Sequence, residues 1–247
     1  MIIIRYREIG LKGKNRVDFE RQLQKNIKDC LKKNNIPFDH VLRIRGRLLI
    51  ETNQECPQLT KVFGIASFSY AEECSLDLET IKKQALKNYS KGTFRITCQR
   101  METFPLTSTE TEQAVGAYIV EKTNAKVKLK DPDKNIQIEI FNKQAYIFSE
   151  KISGPGGLPI GAEAHAVLYM QDKNSVKAGL AMMKRACSLN IYNPDKKDYA
   201  GLKEYEYGFR IKELNEIPNN TAIIVSDTLS TIKEYPYFVL RPLIGIL

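Results

Sequence analysis

An α/β chain in three units is what the amino-acid sequence predicts, on three observations. Short runs rich in β-branched residues alternate with stretches whose apolar residues recur every three or four positions. Glycine, proline and asparagine punctuate most changes of period. A length of 247 residues, 43% of them hydrophobic, suits two or three compact cores.

Residues 1–7 read as a strand and 9–15 as a turn rich in glycine and lysine. A helix follows over about 16–34: Val17, Phe19, Leu23, Ile27 and Leu31 recur near the helical period, and the opposite face is basic. Strands 41–45 and 47–52 pivot on Gly46, and a short helical piece near 57–62 leads to a strand at 67–71. That is a ferredoxin-like βαββαβ count, in a first unit of 1–74. The second unit, 75–152, opens on a helix 77–89 capped by Ser75 or Asp77. A strand 93–100, a helix 109–123 and strands 125–129, 136–141 and 146–150 complete it, the last two joined by Asn142 and Lys143. The third unit, 153–247, reads as a small parallel layer: strand 164–170, helix 175–187, strand 189–192, helix near 199–214, strand 221–225, helix 228–234 and an apolar tail. It is short for a Rossmann-like nucleotide-binding domain.

Composition narrows the function classes. No apolar run approaches the roughly 18 to 20 residues that a membrane span needs, and the opening MIIIRYREIG has no secretory pattern, so a cytoplasmic location without a membrane partner is expected. Five scattered cysteines without a C-x-x-C pair, beside two histidines, point to reduced thiols and no metal site. Of the net charge of +9, residues 1–50 carry nearly all, thirteen basic residues against five acids. Such asymmetry suits a polyanion-binding module, with a solvated lysine-rich helix face as the plain alternative.

Several motifs in order then resemble one family. They are RYREIGLKGKNRVDFE (5–20), VFGIASFS (62–69), FRITCQRMETFPLTSTETEQAVG (94–116), GPGGLPIG (154–161) with MMKR (182–185), and VLRPLIG (239–245). Together they resemble the tRNA 4-thiouridine synthases, the thiamine-biosynthesis-related tRNA sulfurtransferases. The resemblance implies an N-terminal ferredoxin-like domain and a THUMP domain that grip a tRNA acceptor region. It also implies a PP-loop domain that adenylates a uridine before sulfur transfer. The RNA-binding residues it suggests are Lys12, Lys14, Asn15 and Arg16 on the leading turn, with Arg95, Arg100, Thr107 and Ser108 around the strand 93–100. Donors of this kind contact phosphate and ribose rather than base edges.

The nucleotide loop departs from that family, where it reads roughly SGGIDS. Here the six positions are Met170, Gln171, Asp172, Lys173, Asn174 and Ser175, and only the serine survives. Without glycines, backbone amides lose their approach to pyrophosphate, and Asp172 adds a carboxylate where phosphate would lie. Ser175 is expected to cap the following helix. Cys187 does not match the family's nucleophile and is expected to be inert, as is His165, which has no sequence partner. GPGGLPIG is expected to form a rigid turn between units, and Arg241 to pack against or neutralise the old loop.

No catalytic residue, cofactor or metal ligand is therefore assigned. The favoured expectation is a tRNA-binding protein with a reduced PP-loop-like domain, contributing to thiolation beside a sulfur-donor or thiolation enzyme. An active ATP-dependent sulfurtransferase with an unusual or partner-completed site stays open. So do a homodimer, a scaffold unrelated to RNA, and any link to thiamine synthesis.

Overall fold

The computed structural model of the chain describes residues 1–44 and 46–245. The first sheet is antiparallel and ordered β2-β3-β1-β4-β9, from β1 (Ile2–Arg5), β2 (Val41–Ile44), β3 (Arg47–Ile50), β4 (Ser67–Tyr70) and β9 (Ile152–Ser153). Arg45, the predicted last residue of one strand, lies outside the described residues, as do 246–247 of the third unit. Helix α1 (Arg16–Lys33) buries Phe19, Leu23, Ile27 and Leu31 against Ile2, Ile4, Leu48 and Ile50. Period-two alternation sends Ile3, Arg5, Arg47 and Leu49 to the other face of this sheet. The second helix of the ferredoxin-like pattern is only a 3-10 turn, Pro57–Lys61.

That other face packs on a second sheet, ordered β5-β8-β7-β6, from β5 (Glu72–Ser75), β6 (Phe94–Arg100), β7 (Lys134–Phe141) and β8 (Gln144–Phe148). Helices α2 (Leu78–Asn88) and α3 (Ser108–Thr123) cover its far side through Ile81, Val115 and Ile119. Asp77 caps α2 by accepting from the Thr80 amide at 2.9 Å. Between the sheets lie Ile3, Leu49, Ala71, Phe141, Tyr146 and Phe148. Charge crosses there too: Glu139, 2% exposed, accepts from Arg5 Nε at 2.8 Å and Arg47 Nε at 3.0 Å. β5 belongs to the second sheet by pairing and β9 returns to the first, so the two units interleave. The strand predicted at 125–129 is absent; Val127 alone bridges Phe94, and Leu129 is exposed.

The third sheet is wholly parallel, ordered β12-β11-β10-β13-β14, from β10 (His165–Tyr169), β11 (Ser188–Tyr192), β12 (Glu213–Leu214), β13 (Ile223–Ile224) and β14 (Val239–Leu240). The predicted apolar tail supplies its edge strand. Helix α4 (Ser175–Met183) packs on Leu168, Leu189 and Leu202 through Ala178, Gly179 and Met183, ending four residues before the predicted Cys187. The helix predicted near 199–214 shrinks to α5 (Ala200–Lys203), because Gly208 sits at φ +80° and the aromatics beyond α5 serve docking instead. Phe63 stacks on Tyr205 at 5.0 Å, and Tyr207 packs against the first core. The helix predicted at 228–234 is likewise absent. There the Thr228 amide donates to the Thr231 hydroxyl, and the turn carries Tyr235 back towards β10.

The glycine-rich segment 154–161 is a stitched linker. The Gly154 and Gly156 amides donate to Ala66 O and Ile65 O, and the Leu158 and Gly161 amides to Lys184 O and Ala186 O. A Cβ on Gly154 would lie 2.3 Å from Ile65 O, so the backbone approaches too closely for any side chain. Gln22 and Asn26 on α1 both donate to Ile160 O at 3.0 Å, which seats the third unit on the first.

Candidate nucleic-acid interface

From β1 the chain wraps through two 3-10 turns, Glu8–Leu11 and Gly13–Asn15, with Ile9 buried beneath them. Gly13 takes φ +54°, which lets the second turn close directly onto α1. The four predicted contact residues of this loop divide into two pairs. Lys12 donates to Glu163 Oε1 at 3.2 Å and lies 4.3 Å over the Phe19 ring. Arg16 donates to Glu20 Oε1 at 2.7 Å and to the Tyr6 hydroxyl at 2.8 Å. Burial, then the bond to Glu20, pushes the Tyr6 hydroxyl up to about 12, so it stays a donor to that carboxylate. Lys14 and Asn15 are exposed; Asn15 precedes α1 without a side-chain cap, and the Arg16 amide donates to Gly13 O of the preceding 3-10 turn.

Around β6 the predicted residues also divide. Arg95 and Arg100 are five positions apart and leave the strand on opposite faces. Arg100 Nη1 donates to Phe104 O at 3.1 Å and Leu106 O at 2.6 Å, bracing the corner before α3. Arg95 Nη1 donates to Leu129 O at 3.2 Å. Thr107 is engaged in a capping box: its hydroxyl accepts from the Glu110 amide at 3.2 Å while its own amide donates to Glu110 Oε2 at 2.7 Å. Ser108 lines an open hollow of about 540 Å³ with Arg100, Met101, Glu102 and Thr103. Among the described residues no hydrogen bond or ion pair joins this region to the leading loop.

In parallel α/β sheets, ligands sit at the carboxyl ends of the strands. Here that place, beyond β10 and β13, is filled by the chain itself. Met170 is buried in the core. The Gln171 and Asp172 amides donate to Ser175 Oγ at 2.9 and 3.1 Å, and the Asn174 amide to Asp172 Oδ1 at 2.8 Å. Ser175 thus turns back to saturate the loop instead of capping amides further along α4, because it is itself the first helical residue. The Gln171 side chain crosses the strand ends: Oε1 accepts from the Ser226 amide at 3.1 Å, and Nε2 donates to the Tyr235 hydroxyl at 2.6 Å. Tyr235 in turn donates to Asp227 Oδ1 at 2.9 Å, and Arg241 pairs with the other oxygen at 3.2 Å. Arg241 therefore neutralises a buried aspartate beside the loop. Ser226, Asp227 and Tyr235, the partners of Gln171, carried no signal in the sequence, since 64 residues separate Gln171 from Tyr235. Lys173 is exposed.

Cys187 is 3% exposed, and burial pushes its thiol up to about 11, so it is protonated and shielded at neutral pH. The exposed His165 ring places Nδ1 3.0 Å from Ser188 Oγ, a bond between adjacent strands.

A family model described as the ThiI ferredoxin-like domain matches residues 1–69, and a THUMP domain model matches 77–150. A probable tRNA sulfurtransferase of Thermococcus kodakarensis is 36% identical over 95% of this chain and 67% of its own length. One from Moorella thermoacetica is 37% identical over 76% of this chain and 50% of its own, and one from Clostridium kluyveri 36% identical over 87% and 57%. The chain thus spans half to two thirds of these relatives. Among solved structures, PH1313 from Pyrococcus horikoshii superposes with a TM-score of 0.86 at 30% identity, over 99% of this chain and 94% of that one. A 4-thiouridine synthetase, crystallised with RNA and ATP, shares the fold at a TM-score of 0.76 and 23% identity, over 99% and 81%.

Proposed function

The chain belongs to the tRNA sulfurtransferase family, and from that premise we propose that it binds tRNA and contributes to its thiolation without an ATP pyrophosphatase site of its own. The saturated loop after β10 carries this reading. A phosphate loop works by offering free amides and empty space to pyrophosphate oxygens. Here the Gln171 and Asp172 amides are spent on Ser175, and the Gln171 carboxamide bridges Ser226 and Tyr235 across the crevice. Nucleotide would have to break these four bonds and lie against the Asp172 carboxylate. The protonated, buried Cys187 offers no nucleophile in its place. In this reading a separate thiolation enzyme supplies nucleotide activation and sulfur.

The RNA half of the proposal draws on the THUMP match and on the projecting groups of the first two units. Lys14 and Asn15 face solvent as phosphate donors, while Lys12 and Arg16 brace the loop that holds them. Arg100 and Ser108 share the hollow beside α3, Arg95 projects from the opposite face of β6, and Thr107 holds the corner through the α3 cap. Such donors fix register on folded RNA without reading bases.

Filter binding of tRNA across about 50 to 200 mM salt, beside calorimetry with magnesium ATP, tests both halves. The expected result is tRNA affinity falling steeply with salt and no heat from ATP. Release of AMP with tRNA and a persulfide donor would overturn the ATP half in favour of an active sulfurtransferase. Absent or salt-independent tRNA affinity would overturn the RNA half.

A further inference from the structure

The outer face of α1 carries Arg21, Lys25, Lys28 and Lys32, steps of four, three and four residues that keep one stripe of a helix. The stripe rises about 16 Å, in steps of about 4.5 to 6 Å. It forms one wall of a groove of about 490 Å³ whose other wall is the turn Gly208, Phe209 and Arg210 from the third unit. Five cations line it against a single acid, Asp29.

Asp29 is already occupied: it accepts from the Gly208 amide at 2.8 Å and from both Arg210 terminal nitrogens at 3.1 and 3.2 Å. Arg21 shares a loose, mostly exposed pair with Asp18. Among the described residues Lys25, Lys28 and Lys32 have no ion pair at all. Like charges at these spacings destabilise a helix, so the stripe is held against its own repulsion. The far wall is fixed rather than incidental. Gly208 takes φ +80°, and a Cβ there would lie 1.8 Å from Asn26 Oδ1, so the turn is pressed against α1. Asn26 is itself buried and bonded to Ile160 O. Phe209, half-buried against the third unit's core, makes that wall partly aromatic.

We propose that this groove between α1 and the 208–210 turn is a further contact for the sugar–phosphate backbone of RNA, built jointly by the first and third units. The idea rests on the tRNA-binding reading and adds a site to it. Unpartnered ammonium groups spaced like successive phosphates on one strand would each release a counterion on binding. The aromatic part of the wall suits an unstacked base or ribose at the same place. The third unit, whose own crevice is filled, thereby gains a role: it completes a channel along α1.

The test compares salt titrations of tRNA binding for three proteins: the parent chain, the triple variant K25A/K28A/K32A, and K82A/K83A/K87A on α2 as a charge-matched control. The groove variant should lower the slope of log K against log salt by about three, one per lysine, while the control keeps the parent slope. All three lysines are at the surface, so unchanged thermal unfolding checks the fold, and K25R/K28R/K32R should restore the slope. A parent that binds tRNA beside an unchanged groove variant overturns this site and leaves the tRNA-binding reading standing. Equal losses in groove and control variants overturn it too, as general charge. A parent without tRNA affinity overturns both, including where lysine-dependent binding to phosphatidylserine vesicles is found instead.

Discussion

Glu139→Ala should uncouple the first two sheets, and the structure sets the size of the effect. The carboxylate, 2% exposed, is held by Arg5 Nε and Arg47 Nε. Without it, Arg5 keeps only the Ser69 hydroxyl at 3.0 Å and the Phe148 ring at 4.7 Å, and its Nη2, already without a partner, stays buried. Burial already lowers the Arg5 pKa and Glu139 opposes that shift, so the pair is what keeps the charge tolerable. Removing one member of a buried ion pair costs about 3 to 5 kcal/mol. Arg47 is more exposed and retains Gln99 Oε1 and Gly46 O, which places the expected loss at about 3 to 4 kcal/mol. With a urea dependence of about 2 kcal/mol/M, the midpoint should fall by about 1.5 to 2 M. Glu139→Gln, which keeps the shape and one acceptor, should lose about 1.5 to 3 kcal/mol. Replacing all three together, as R5M/E139L/R47M, should recover much of the loss, because apolar packing substitutes for a buried ion cluster. A midpoint shift below about 0.5 M for Glu139→Ala, at unchanged slope, would refute the reasoning, since water would then be reaching the guanidinium groups.

Three further outcomes are expected. Gly154→Ala, forced within 2.3 Å of Ile65 O, should destabilise by about 1 to 3 kcal/mol and split the unfolding curve as the linker detaches; a single unshifted transition would contradict that. At Asp29, burial alone would raise the pKa, but Arg210, the Gly208 amide and Lys33 together hold it below its ordinary 3.8. Its contribution is therefore complete above that value and lost as pH falls through the depressed one, so D29N should flatten the acid side of the stability profile between about pH 5 and pH 2. Equal acid sensitivity in parent and variant would count against it. Cys187, with its thiol pushed up to about 11 and 3% exposed, should resist iodoacetamide at pH 8 and react promptly in urea; fast native labelling would show an accessible thiolate.

Local chemistry was legible in the sequence wherever one element determines it. The α1 stripe from Phe19 to Leu31, though not its expected first member Val17, which is exposed, the cap at Asp77, the turn at Asn142 and Lys143 (φ +53° and +58°) and the glycine-rich linker follow from spacing and backbone preference. The overlong helix near 199–214 failed for a tertiary reason. Tyr205, Tyr207 and Phe209 alternate every second residue, which sets neighbours on opposite sides of a helix, and the chain instead packs Tyr205 on Phe63 and Tyr207 on the first core. The site residues divide in the same way. That Lys14 and Asn15 project while Lys12 and Arg16 brace depends on Glu163 and Tyr6, which no local pattern marks.

The sequence by itself determined the family, the three-unit α/β plan, the basic front and a segment without glycine after the first strand of the third unit. Only the tertiary structure decided that Gln171 reaches Ser226 and Tyr235, that Glu139 joins two arginines of another sheet, and that Arg210 faces the α1 lysines. The reason is physical: backbone preference and hydrophobic period act over a few residues. Buried polar groups must find partners wherever the packed chain brings them.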